Sequence, residues 1–338
     1  MAVNSNSEPN LTEQEIARIW SEVLGIAPIG PGDRFSDLGG TSLAAESMIA
    51  MSRSRLPTSI AAADFVDDPT VAELAERLDS SHRARFTQRA SACVKLQHGT
   101  RAPTVFCFAG AGSTSAYFVP LARALPAAIS VYSLQAHGIE SRALPTRTVA
   151  HAARRHVREV RAVQPHGPYL LLGHSFGGIV ALEVARALEE AGEQVAELIM
   201  LDTVVDADAS LKAWTEHDDS FVNELHAVDT AVPTAGRIRS LGQRIGVHAR
   251  LAGAGMLRYR LGTQKHIFWE LAVRAQRRHH LRPWGGDATV LLTKHTREQR
   301  EFWPSFLAGG GEIIDVPGDH LSMIANPEVL DILASKFV

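Results

Sequence analysis

The segment Gly173-His174-Ser175-Phe176-Gly177-Gly178 constrains this chain more than any other. It lies directly after the apolar run Tyr169-Leu170-Leu171-Leu172 and directly before a stretch bearing Val180, Leu182 and Val184 at helical spacing. A strand that turns sharply into a helix has space only for small neighbours, which Gly173, Gly177 and Gly178 supply. Such a bend lifts the Ser175 hydroxyl above the strand ends, and the helix N-terminus beyond it favours negative charge. An incidental serine in a glycine-rich turn would need neither the strand before it nor the helix after it. Ser175 therefore reads as a nucleophile.

A serine hydroxyl is a weak nucleophile; it needs a base, and the base needs an orienting acid. With a nucleophile on this kind of bend the chain order is serine, acid, histidine. Asp202 ends the apolar run Leu198-Ile199-Met200-Leu201, which puts it on the same rim as Ser175; Asp206 and Asp208 are rivals further into the following loop. His320 sits in Val316-Pro317-Gly318-Asp319-His320, after the last apolar run and before a helical pattern. An unperturbed imidazole, with a pKa near ~6.5, suits a base at neutral pH. His174 and His295 compete for that role, but the bend should turn His174 away from the reacting face. Two donors must hold a developing oxyanion. The backbone N–H of Phe176 is one candidate, and that of Ala111, in the small-residue loop Phe108-Ala109-Gly110-Ala111-Gly112-Ser113, is the other. That loop would otherwise read as a nucleotide cradle, but neither a dinucleotide fingerprint nor a Walker lysine is present.

Around this motif the chain alternates short apolar runs (104–108, 129–134, 169–173, 197–201, 288–293, 312–316) with helical stretches (117–125, 147–164, 178–191, 321–336). That rhythm predicts an α/β domain over 91–338, a mostly parallel sheet with helices on both faces. Residues 205–283 break the rhythm and predict a helical lid insertion. Its Trp214, Phe221, Leu225, Met256 and Phe268 would line an acyl pocket or else pack the lid helices.

The N-terminal part is different. Residues 11–24 carry Ile16, Ile19, Trp20, Val23 and Leu24 at helical spacing, with Thr12 and Glu15 as a capping-box pair. A second helix should start at Ser42 and stop at Pro57, and a third should open after Asp67-Asp68-Pro69-Thr70. This predicts a small all-α domain over 8–80. The polar stretch 81–90 reads as a linker. At 338 residues, 45% hydrophobic and 21% charged, the chain reads as ordinary soluble protein in more than one unit. A net charge of −3 gives no basic face for nucleic acid. Two cysteines make neither a disulfide framework nor a metal site, and no metal is expected. The polar first ten residues do not resemble a secretory signal, and no apolar run approaches the ~18 residues of a membrane span. The expected location is the cytoplasm, and the end at Val338 reads as native.

Trp20, Val23-Leu24-Gly25, Asp33-Arg34-Phe35, Asp37-Leu38-Gly39-Gly40-Thr41-Ser42-Leu43 and Pro69-Thr70-Val71 together resemble a peptidyl carrier domain, usually a four-helix unit. Phe108–Gly112, Gly173–Gly178, Asp202 and Gly318-Asp319-His320 resemble the type I thioesterase, of the α/β-hydrolase family, that ends nonribosomal peptide synthetases and related polyketide synthases. The resemblance implies 4′-phosphopantetheine on Ser42, placed there by a separate phosphopantetheinyl transferase, and acyl or peptidyl thioesters delivered by upstream synthetase modules. Apart from any family, Ser42 lies at a loop-to-helix junction where a phosphodiester would meet unpaired N–H groups. Serine is also a favoured N-cap, so capping is the simpler role for it. Fatty-acid carriers usually place an acid before the serine and on the next helix; here Thr41 precedes it, and residues 42–55 hold Glu46 against Arg53 and Arg55.

The expected chemistry is two-step acyl transfer from the arm on Ser42 to Ser175, released by water or by an internal amine or hydroxyl. The alternatives are a proofreading thioesterase, against which the fused carrier argues, and a non-catalytic carrier and docking module, against which the intact Ser175, Asp202 and His320 set argues.

Overall fold

The computed structural model describes residues 11–56, 60, 62–65, 67–81, 92–140, 142–205, 248–257, 259 and 261–337. The chain divides into two compact units, Met1–Arg89 and Ala90–Val338.

The described part of the first unit holds helices α1 (Leu11–Leu24), α2 (Ser42–Arg55) and α3 (Val71–Ser81), with a single 3-10 turn at Ala62–Phe65. A four-helix unit is expected; the described residues contain three α-helices and that turn. Helix α1 packs on α2 and α3, and its Ile16, Ile19 and Trp20 are buried in a core that also holds Met48 and Ile49 of α2 and Leu74 and Leu78 of α3. Trp20, Phe35 and Phe65 form an edge-to-face aromatic chain with centroids 5.0 and 5.3 Å apart. The Gly39-Gly40 pair has two separate reasons. Gly39 has φ +81°, and a Cβ on Gly40 would fall on the Phe35 ring. The capping box lies elsewhere than expected. Thr12 is inside α1 and donates to Asp79 Oδ1 (3.1 Å). The reciprocal pair is Thr70 and Glu73 at the start of α3: Glu73 accepts from Thr70 N–H (2.8 Å) and Thr70 Oγ1 accepts from Glu73 N–H (3.2 Å).

The second unit is a seven-stranded sheet in the order β1-β3-β2-β4-β5-β6-β7. The strands are β1 (Cys93–Gln97), β2 (Arg101–Phe108), β3 (Ile129–Leu134), β4 (Tyr169–His174), β5 (Val195–Leu201), β6 (Ala288–Leu292) and β7 (Gly311–Asp315). All pairs are parallel except β1 with β3. Among the described residues its α-helices are α4 (Val119–Ala124), α5 (Val149–Val163), α6 (Phe176–Glu190), α7 (Leu261–Arg277), the single turn α8 (Trp303–Phe306) and, after β7, α9 (Pro327–Phe337). Strand β4 is buried along its whole length and α6 over most of its length, which is why neither shows a one-sided polar pattern.

Two elements differ from expectation. Strand β1 was not visible as an apolar run because its exposed and half-buried residues outnumber its one buried position. The helix expected over 321–336 begins only at Pro327; residues 323–325 form a 3-10 turn ended by the extended Asn326, as a residue before proline prefers. The order β3-β2-β4-β5 puts a topological switch between β2 and β4. The connection from β2 runs to β3 on one side and that from β4 runs to β5 on the other, which opens a crevice at the strand ends. The loop after β2 and the bend after β4 both border that crevice.

Candidate active site

Ser175 follows β4 and caps α6 with φ +54° and ψ −127°. Its N–H extends the ladder to Leu201 O (2.8 Å) while its own carbonyl already accepts Gly178 N–H (3.0 Å). The chain therefore changes from strand to helix within one residue. The glycines permit it: a Cβ on Gly173 would strike Gly177 and Gly178, and one on Gly177 would strike the carbonyls of Phe108 and Ala109. Among the described residues only three non-glycines have positive φ: Asp68, Ser175 and Asp202. Backbone held in that region costs of order 1–3 kcal/mol and concentrates at working sites.

Asp202 follows β5 with φ +47° and is fully buried. Its N–H bonds Leu291 O (2.8 Å), which locks it to β6. Its Oδ1 accepts Thr293 N–H (2.7 Å) and the Thr296 hydroxyl; its Oδ2 accepts the Thr293 hydroxyl (2.9 Å) and pairs with His320 Nδ1 (2.7 Å). Burial pushes its pKa up, but the His320 contact and the threonine and backbone donors outweigh burial and hold it well below the usual carboxylate range. A fully ionised, fully bonded carboxylate is what an imidazolium partner requires.

His320 lies in the turn after β7. Asp319 Oδ1 accepts Leu321 N–H (3.0 Å) and Ser322 N–H (2.9 Å), and Gly318 has φ +98°, so the turn projects His320 back over the strand ends. Its side chain is 8% exposed. His295 instead follows β6, with its N–H on Thr293 Oγ1 (3.3 Å). Asp206 and Asp208 lie outside the described residues. His174 is buried beneath the bend, its ring centroid 4.6 Å from that of His320.

The loop after β2 runs beside the nucleophile. Phe108 is in register with Gly173, and a Cβ on Gly110 would come within 3.3 Å of Ser175 Cβ. Ala111 is the next residue of this loop, and Phe176, directly after the nucleophile, is the first residue of α6. Gly112 has φ +69°, and a Cβ there would meet Lys265 O at 2.6 Å and Trp269 Cβ at 3.2 Å. Helix α7 therefore lies directly on this loop.

Of the expected pocket residues, Trp214, Phe221 and Leu225 lie outside the described residues. Met256 is 53% exposed, whereas Phe268 is buried with Ile139, Leu251, Ala254, Ile267 and Leu271. Phe268 thus serves to anchor α7. In the first unit, Thr41 takes the cap of α2, its hydroxyl accepting Ala44 N–H (3.2 Å), and Ser42 is the first helical residue. The capping role that serine could have filled belongs to its neighbour. Arg55 is held by Glu22 through two bonds (2.6 and 2.8 Å).

Two other groups could have carried chemistry. Burial pushes the thiols of Cys93, to about 12, and of Cys107 upward, which keeps both protonated at neutral pH. His137, His156 and Glu159 bring a zinc-type donor set together. Their rings are nearly parallel (29°), and each nitrogen meets a different oxygen of the one carboxylate (2.9 and 2.8 Å). Two imidazole N–H donors on one carboxylate account for that arrangement.

The thioesterase domain model matches residues 103–337, and the phosphopantetheine attachment site model matches residues 14–78. The chain belongs to the thioesterase domain family. This thioesterase-family chain is 30% identical over 344 residues to a probable non-canonical nonribosomal peptide synthetase, CymA, of Salinispora arenicola, a match covering 96% of the chain and 4% of the relative. It is 35% identical over 194 residues to tyrocidine synthase 3 of Brevibacillus parabrevis, covering 57% of the chain and 3% of the relative. It thus spans a small fraction of the length of its curated relatives. Among solved structures, a four-domain nonribosomal peptide synthetase aligns over 99% of this chain and 26% of its own, with TM-score 0.57 and 21% identity. The Vlm2 thioesterase domain aligns over 73% of this chain and 98% of its own, with TM-score 0.51 and 19% identity. Both share the fold.

Neither Thr293 nor Thr296 was singled out from sequence as a partner of Asp202. A pair of threonines after an apolar run has many uses, and only the register of β6 against β5 brings this pair to Asp202.

Proposed function

We propose that this chain releases a carrier-tethered acyl or peptidyl thioester at the end of nonribosomal peptide, or hybrid polyketide, assembly. In this reading residues 8–80 form the carrier, 81–90 the linker and 91–338 the thioesterase, with the insertion at 205–283 as its lid. Ser42 bears 4′-phosphopantetheine, added by a phosphopantetheinyl transferase. The fit is reasonable on structural grounds: Ser42 begins a 14-residue helix whose cap is already filled by Thr41, so a phosphodiester there meets a helix N-terminus. The group supplies a thiol that holds the acyl chain as a thioester. Upstream synthetase modules would load it, in the cytoplasm; among the described residues no helix is long and apolar enough to cross a membrane.

The observation that carries the catalytic reading is the 2.7 Å pair between His320 Nδ1 and the buried Asp202, beside a nucleophile on a strained bend. His320 Nε2 takes the Ser175 proton as Oγ attacks the thioester carbonyl. Asp202 keeps Nδ1 protonated and stabilises the imidazolium. The N–H groups of Ala111 and Phe176 hold the oxyanion. The tetrahedral intermediate collapses by expelling thiolate, which takes a proton from His320, and leaves an acyl group on Ser175. Water, or an amine or hydroxyl of the chain itself, then repeats the sequence and restores Ser175.

The test has two arms. A phosphopantetheinyl transferase and coenzyme A should add one phosphopantetheine mass to the wild-type protein and none to Ser42→Ala. Ser175→Ala should accept the group and retain a loaded acyl chain. Release from Ser175→Ala at the wild-type rate refutes the triad; mass gain on Ser42→Ala refutes the attachment site.

A further inference from the structure

We infer that His174 is a positioning residue: its neutral imidazole holds the main-chain carbonyl of His320 and thereby fixes the base beside Ser175. The inference rests on the roles proposed above for Ser175, His320 and Asp202.

His174 Nε2 lies 2.7 Å from His320 O. A carbonyl only accepts, so Nε2 carries the hydrogen. In the neutral ring Nδ1 is then a bare lone pair. It is buried without a hydrogen-bond partner and faces Gly110, where a Cβ would come within 3.0 Å of it. Protonating Nδ1 would bury an N–H with nothing to receive it. Burial first, and then the neighbouring His320, push the His174 pKa down to about 3. The titratable groups around it are Tyr117, His320 and Asp202. Of these, His320 becomes cationic in the proposed cycle. A neutral donor at position 174 holds it without adding a like charge; lysine or arginine there would oppose the imidazolium.

The geometry gives this contact a mechanical purpose. His320 is fixed by its ring at Asp202 and by its backbone at His174, both at 2.7 Å. Loss of the His174 bond would let the main chain at residue 320 shift, tilt the imidazole about the Nδ1···Oδ2 bond and move Nε2. The Tyr117 ring stacks on His174 at 4.2 Å and 23°, and its hydroxyl reaches the same carbonyl at 3.5 Å. A flat apolar ring at 174 would keep that stack but supply no donor. The residue directly before the nucleophile thus sets the base in place, and both are carried by one strand-to-bend segment.

The test compares His174→Phe and His174→Gln in the full chain, using a short-chain p-nitrophenyl ester and a fluorophosphonate probe. Phe retains the stack, and Gln restores an N–H donor. For His174→Phe, kcat and the labelling rate should fall ~10–100-fold with KM within about twofold, as expected of a base displaced by about an ångström. His174→Gln should recover to within about fivefold of wild type. Wild-type kcat in His174→Phe, or an equal loss in both variants, overturns the inference while the triad stands, provided Ser175→Ala is inactive and unlabelled. An active Ser175→Ala overturns the triad and this inference with it. Should either variant fail to fold, ¹⁵N-histidine spectra of the wild type decide. They should show His174 neutral and Nε2-protonated from about pH 6 to about pH 9; an Nδ1-protonated ring, or titration in that range, overturns the inference.

Discussion

Asp202→Asn changes one atom and is expected to lower kcat about 10⁴-fold, close to 5.4 kcal/mol of lost transition-state stabilisation. The direction follows from which donors can turn. Asp202 Oδ1 accepts the Thr293 backbone N–H, which the end of β6 fixes in place, so the asparagine carbonyl must occupy that position. Its NH₂ then takes the Oδ2 position and faces His320 Nδ1. The Thr293 hydroxyl, now a donor to Oδ2, can rotate and accept instead. The imidazole has no such freedom. Its Nδ1 must become an acceptor, which leaves the proton on Nε2, and a protonated Nε2 cannot take the proton of Ser175. The assay is kcat on a p-nitrophenyl ester together with acyl release from the pantetheinylated carrier. Loss of less than tenfold, with the melting temperature preserved, would refute the tautomer argument. The same substitution has a signature in stability. A depressed carboxylate pKa contributes stability that is complete above its unfolded value near ~3.9 and is lost as pH falls through the folded value. Acid unfolding below about pH 4 should therefore be less steep in Asp202→Asn than in wild type.

Glu159→Gln should destabilise the second unit by ~1–3 kcal/mol in urea unfolding, because an amide can accept from only one of the two imidazoles that Glu159 now serves. Wild-type stability in that variant would argue against the hydrogen-bond account of the cluster. Gly178→Ala should lower the melting temperature and cost ~1–3 kcal/mol, since a Cβ there would land on the Thr203 hydroxyl. Arg55→Ala should change stability by less than ~1 kcal/mol despite its paired contacts with Glu22, because the pair is solvent-exposed.

What the chain reveals before folding depends on how local the cause is. The bend at Ser175 is legible because its constraint is written into adjacent residues: an apolar strand, glycines where the backbone crowds, and a helix behind. The parallel strands are legible because burial on both faces makes them continuous apolar runs, as in β4. Strand β1 was missed because an edge strand needs no such run. Thr12 was misread because a capping pattern requires its helix to begin just after it, whereas α1 already includes Leu11. The partners of Asp202, and the contact of His174 with the carbonyl of His320, depend on sheet register and on a loop 146 residues away. No local pattern encodes either.

The loop after β2 connects two parts of the second unit that function must coordinate, and Gly112 is where the connection can be tested. At one end Gly110 lies against His174 and Ser175; at the other Gly112 lies against the backbone of α7. Ala111 is between them, with Ser113 N–H bonded back to Gly110 O (3.1 Å), so the segment has little slack. Gly112→Ala carries two penalties. A side chain at φ +69° costs ~1–2 kcal/mol, and its Cβ must displace Lys265 O, 2.6 Å away. If α7 or the loop shifts to make room, the Ala111 N–H turns with it, and misdirecting one oxyanion donor approaches the ~10²–10³ cost of deleting it. Gly192→Ala is the matched control: φ is +79° and no atom lies within 4 Å of the new Cβ, so it carries the backbone penalty alone. Both variants should lose comparable backbone stability, but only Gly112→Ala should lose kcat, by ~10-fold or more, with KM little changed. Equal kcat in the two variants would mean that α7 rests on this loop without governing it, and Ala111 would lose its claim as an oxyanion donor.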